Sequence, residues 1–194
     1  MRIRLAGTIA ATALCAAAAT EAAAQTPPQD SRVLNQQLQL GDVFSHQTIN
    51  VVDAQDQVTA TTSATGNSAS GAVENGSITV QSGQDMRGDA TARTDVVLGG
   101  DTWGEANVRT QAGGNYLGVS AYSADLTVDA VQSNTGGLVG AVSEVGDSSA
   151  RLHAGGHVAA SAVSNTVALY GEGSMLRGDV DQANAATVRS FSRI

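Results

Sequence analysis

Lysine is absent from all 194 residues; the ten basic side chains are all Arg, against eighteen acids, for a net charge of −8. An acidic chain with no basic run lacks the electrostatic footprint of a nucleic-acid binder. Aromatics are scarce, with one Trp, two Phe and three Tyr, which excludes a core built on large rings. The only prolines are the adjacent Pro27 and Pro28, and the only cysteine is Cys15, so no internal disulfide can form. Charged residues make up 14%, well under the roughly 25% of an average soluble domain, which argues against a charge-solvated disordered tail. Ala, Gly, Ser, Thr, Val, Asn and Gln fill the chain instead, the makeup of extended β repeats built from small residues.

The first two dozen residues read as a secretory signal peptide. Arg2 and Arg4 precede an uncharged Ala-rich run from Leu5 to Thr20, and Ala22-Ala23-Ala24 supplies a small-x-small cleavage pattern. That run falls short of the ~20 residues a spanning helix needs. Cys15 follows Leu14, where a lipoprotein signal would carry a small residue, so it reads as an ordinary apolar position. Cleavage after Ala24 would leave eight Arg against seventeen acids, a charge of −9, and no thiol. Residues 25–45 then form an N-terminal linker or cap, and residues 46–194 a repetitive body. Within 25–45, Val33, Leu34, Leu38 and Leu40 fit a short helix or an initial strand equally well.

Repetition is the dominant signal of the body. Asn75-Gly76, Gly99-Gly100, Gly113-Gly114, Gly136-Gly137, Gly155-Gly156 and Gly171-x-Gly173 recur at about 19 residues on average. Between them, segments such as Val58-Thr59-Ala60-Thr61-Thr62-Ser63-Ala64 and Ala106-Asn107-Val108-Arg109-Thr110 alternate small or apolar with polar residues, which is strand periodicity. The expected fold class is all-β, a narrow β-solenoid (β-helix) with rungs of about 20 residues and Gly or Asn turns. Stacked Asn, Gln, Ser and Thr would form hydrogen-bonded ladders inside it. The alternative is a β-sandwich, which normally wants more large hydrophobic residues between its sheets. A body with neither Pro nor Lys leaves its sheet edges unguarded, so self-association is expected.

Catalytic patterns are missing: the chain has no Gly-x-Ser-x-Gly elbow, P-loop or dinucleotide fingerprint, and the expectation is a non-enzyme without cofactor. His153 and His157 flank Ala154-Gly155-Gly156, a turn rather than a helix, and His46 is far off in sequence, so no metal site is expected. Nor is the Gly-Gly-x-Gly-x-Asp repeat of calcium-binding β-helices present. The aromatics are the candidate contact residues for carbohydrate or a partner. Trp103 and Tyr122 lie 19 residues apart, one expected rung, with Tyr116 close by, and stacked rings on a surface can take sugar rings.

Leu38-Gln39-Leu40-Gly41-Asp42-Val43-Phe44, the stretch from Val58 to Ser68, Gly88-Asp89-Ala90-Thr91-Ala92 and the stretch from Asp181 to Val188 resemble, in that order, the holdfast anchor protein HfaD family of stalked alphaproteobacteria. The resemblance implies a cell-surface protein at the pole, associated with the outer membrane, that attaches the holdfast polysaccharide to the envelope. It also implies two partners, a second anchor protein and a curli-type outer-membrane secretion factor. A curlin-like amyloid fibre subunit is the alternative reading, and a β-helical polysaccharide-active enzyme a more remote one.

Overall fold

The computed structural model describes residues 31–52, 54–146 and 150–194. The segment read as a signal peptide lies outside the described residues. Among the described residues there are nine strands: β1 (Ser31–Gln39), β2 (Val43–Val51), β3 (Val58–Met86), β4 (Ala90–Leu98), β5 (Ala106–Asn134), β6 (Leu138–Gly146), β7 (Gly156–Glu172), β8 (Leu176–Asn184) and β9 (Thr187–Arg193). There is no helix among the described residues. The ambiguous Val33–Leu40 stretch is strand.

Every named pairing is parallel. One sheet runs β1-β3-β5-β7, with β8 also on β5, and the other runs β2-β4-β6-β9. The expected repeat of about 20 residues is not what the pairing shows. Ser31 pairs with Ile78, 47 residues on, Val58 with Ala106, 48 on, and Ala106 with Gly156, 50 on. The Gly and Asn turns at 75–76, 99–100, 136–137, 155–156 and 171–173 fall at different bends of one longer circuit of the chain, whereas Gly113-Gly114 lies inside β5, where the ladder skips Gly114. Counting from one turn to the next therefore measured the sides of the circuit, not its length.

A circuit is best followed through β3. Residues 58–65 run straight, the ladder breaks at Gly66, and residues 67–74 continue beyond it. Asn75 and Gly76, with φ of 53° and 133°, then turn the chain back along residues 77–86. A second bend at residues 87–89 leads into β4. The turn at Asn75 recurs one circuit later at Ser123 (φ 50°) and again at Gly173 (φ 61°), so the left-handed conformation belongs to the corner rather than to one residue. At the bend into the second sheet, Gly88 and Gly136 are required by close approach. A Cβ on Gly88 would overlap the carbonyl of Gly41, and one on Gly136 would overlap that of Gly88.

The outgoing and returning halves of each circuit face one another closely. Asn67 and Asn115 each donate from Nδ2 across to the opposite backbone, at the carbonyls of Asp85 (2.9 Å) and Ser133 (2.8 Å). Small inward residues make that approach feasible. Ala60, Ala64, Ala90, Ala92, Ala112 and Ala141 are buried where the two sheets meet, and Leu117, Val119, Leu126 and Val128 fill the end near the Asn75 turn. The anticipated polar ladders are there. Gln37, Gln84, Gln132 and Gln182 form one column, each Nε2 donating to the Oε1 of the preceding glutamine at 2.9, 2.7 and 2.6 Å. Asn67, Asn115 and Asn165 form another, with steps of 2.8 Å. Thr94 sits 2.7 Å from both Thr62 and Thr110 in a third.

Candidate functional site

Parallel pairing puts register partners on the same face, so columns of side chains climb from circuit to circuit. On residues 116–122 of β5 the odd positions Leu117, Val119 and Ala121 are buried, and Tyr116, Gly118, Ser120 and Tyr122 point outward. Their partners on β7 are Thr166, Ala168, Tyr170 and Glu172. Those on β3 are Ser68, Ser70, Ala72 and Glu74. All three tyrosines of the chain therefore stand on one strip, among side chains no larger than Thr apart from two glutamates.

The rings are placed by their small neighbours. A Cβ on Gly118 would meet the Tyr116 hydroxyl at 2.6 Å and two ring carbons at 3.0 Å, so the Tyr116 ring lies back over Gly118. Lying there, the residue stays 38% exposed. Tyr122 and Tyr170 have ring centroids 5.8 Å apart at 54°. Glu74 and Glu172 are the register partners of Tyr122 on its two sides, and the Tyr170 hydroxyl stands 3.5 Å from Glu172 Oε2.

Trp103 is elsewhere. It does not lie above Tyr122, because the chain needs 47–50 residues rather than 19 to come back to the same column. Trp103 sits between β4 and β5, with its backbone N–H on the carbonyl of Ala54 (2.9 Å), and its ring stacks on His153 at 3.9 Å and 5°. Asp101 fixes that histidine through Oδ2 (3.2 Å) and accepts the Arg151 backbone N–H on Oδ1 (3.0 Å). These two bonds, the histidine's first, hold the Asp101 carboxyl below its ordinary value. His157 stands apart from His153, at the start of β7 beside Asn107. Among the described residues no group of three or more His, Cys, Asp or Glu could hold a metal ion.

The outer face of the second sheet carries a charge network as well as two exposed rings, Phe44 and Phe191. Arg93 bonds both Asp95 oxygens (3.0 and 2.8 Å) and reaches Glu144 at 2.6 Å, while His46 meets Asp95 at 2.9 Å. The Arg93 hydrogen bond, ahead of the one from His46, lowers the Asp95 pKa. Sequence reasoning missed Tyr170, Glu74 and Glu172 on the tyrosine strip, and His153 beneath Trp103. The signal that finds Tyr170 is the 50-residue register of β5 with β7, which sets it beside Ser120, two residues from Tyr122.

No curated protein and no solved structure matches the chain. The family model of holdfast attachment protein D matches residues 52–194, a span that takes in β3 to β9 and all three tyrosines. The chain therefore belongs to the HfaD family of holdfast attachment proteins.

Proposed function

We propose that the protein is a non-enzymatic cell-surface anchor, a flat β-solenoid that attaches the holdfast polysaccharide to the cell envelope. The observation that carries this reading is the family match across 52–194. The architecture supports it: parallel ladders with amide columns inside suit a part that yields to load one circuit at a time instead of parting at once. Export through removal of residues 1–24, residence at the outer membrane near the pole, and action beside a second anchor protein and a curli-type secretion factor complete the proposal. Residues 25–45 would link or cap the body formed by 46–194. Deleting the gene and following the adhesive tests it. Cells should shed holdfast into the medium, and a holdfast that stays on the cells would sink the reading.

A curlin-like fibre subunit is the second reading, and one observation favours it. Among the described residues nothing pairs with residues 58–74 of β3 on the side facing β1, or with the outer edges of β7, β8 and β9. Two copies could continue the parallel stack through such edges. Purified protein that seeds its own polymerisation would support the fibre, whereas a strict monomer on sizing would leave the anchor alone.

A further inference from the structure

The tyrosine strip combines three properties that point to one class of ligand. Its rings form two platforms: the Tyr116 ring reaches Gly118, and the Tyr122–Tyr170 pair stands two to four residues further on, about 7–13 Å along the strand at ~3.3 Å per residue. Its background is small and level, with no Leu, Ile, Val or Met among the outward side chains of residues 68–74, 116–122 and 166–172. Its charge has one sign, because Glu74 and Glu172 bracket Tyr122 and the strip holds no Arg. A folded protein partner would find no aliphatic anchor here. A polyanion would be repelled. An extended chain of rings with apolar faces and scattered positive charge would fit.

We propose that this strip binds an extended polysaccharide whose sugars carry free amines. One sugar lies on the Tyr116 ring, a second site is formed by the Tyr122–Tyr170 pair, and Glu74 and Glu172, on either side of Tyr122, pair with ammonium groups at that second site. Both aromatic platforms and both carboxylates are then used by a single ligand laid along β5. The assignment rests on the attachment reading above and narrows it to a site and a chemistry. Trp103, exposed but with one ring face stacked on His153, belongs to a different corner of the circuit.

The test uses the full purified chain with two insoluble probes, chitosan, whose sugars bear free amines, and chitin, its N-acetylated form. Retention on chitosan is expected to exceed retention on chitin at least tenfold and to fall with salt, as exposed ion pairs do. Tyr116→Ala and Tyr170→Ala should each lower it tenfold or more. Tyr116→Phe should keep it, because the ring and not the hydroxyl forms the platform. Glu74→Gln with Glu172→Gln should level the two probes. Phe44→Ala, which removes an exposed ring on the other sheet, should change nothing. Circular dichroism of each variant separates lost binding from lost fold. Equal retention on both probes, or retention that survives the glutamate pair, overturns the amine assignment. Folded Tyr116→Ala and Tyr170→Ala proteins that still bind overturn the site. If those variants bind normally while the deletion strain sheds holdfast, the site falls and the anchor reading stands; a deletion strain that keeps its holdfast removes the anchor reading whatever the probes show.

Discussion

Leu117, Leu126 and Val128 fill one end of the flattened circuit with apolar side chains, while Asn67, Asn115, Gln84 and Gln132 fill the middle with amides. Both sets are buried, and both stack on the same parallel register. They constrain it differently. Shifting one circuit forward by two residues would still bring apolar Val119, Val128 and Ala130 to the positions of Leu117, Leu126 and Val128. The same shift in the middle would part every amide from its neighbour and leave buried N–H groups unpaired, at about 1–3 kcal/mol each. Apolar packing supplies adhesion between layers, and the amide columns supply the address.

Asn115→Asp should be the most damaging way to break that contrast. Its carboxylate would face the Asn165 side-chain oxygen and the Ser133 carbonyl with no proton to offer either. An uncompensated buried charge costs about 3–5 kcal/mol, enough to consume much of a typical stability. Denaturant unfolding should show a large drop at neutral pH that partly recovers under acid, where the group is neutral; a loss under 1 kcal/mol would mean that the column is wet.

Leu126→Ala leaves a cavity at the apolar end and should cost about 2–5 kcal/mol, with Leu126→Met under about 1.5 kcal/mol. Unlike the Asn115 variant, its loss should not depend on pH. A pH-dependent loss for Leu126→Ala would erase the distinction between the two regions.

Smaller effects sharpen the picture at the corners and surface. Ser123 holds a left-handed φ where its counterpart one circuit on is Gly173, so Ser123→Val should cost roughly 1–3 kcal/mol and Ser123→Gly should be close to neutral in thermal unfolding. Asp95 has a folded pKa below its unfolded value. Its contribution is therefore present above the ordinary carboxylate pKa, near 4, and is lost as pH falls through the folded value. Asp95→Asn should remove that acid-side decline, by well under 1 kcal/mol for so exposed a pair. A variant whose stability falls with acid as steeply as the parent protein would assign the decline to other carboxylates.

The strands were legible because alternation is a local property. Residues 58–64, 89–94 and 106–110 announce themselves by small and polar residues taking turns. The length of the circuit was not, because Ala, Val, Thr and Ser exchange freely at inward positions and carry no identity from one circuit to the next. Only residues whose side chains must match a copy of themselves record the true spacing. Asn67, Asn115 and Asn165 do so, as do Gln84, Gln132 and Gln182, and these amides were drowned by turn glycines that mark every bend alike. The tyrosine strip was half visible for the same reason: Tyr116 and Tyr122 are close in sequence, while Tyr170 joins them only through the pairing of β5 with β7.

The order in which hydrogen bonds break under tension follows from the circuit. Each circuit adds only ~4.8 Å to the height of the stack but stores about 48 residues, roughly 160 Å of extended chain. A pull applied between the two ends of the stack would peel one circuit at a time, so slack is paid out in long, separate increments instead of the protein parting at once. Single-molecule stretching should show a sawtooth with steps near that length, and a single rupture without intermediates would rule such yielding out. A cell fastened through such a part would be held by a tether that lengthens before it lets go.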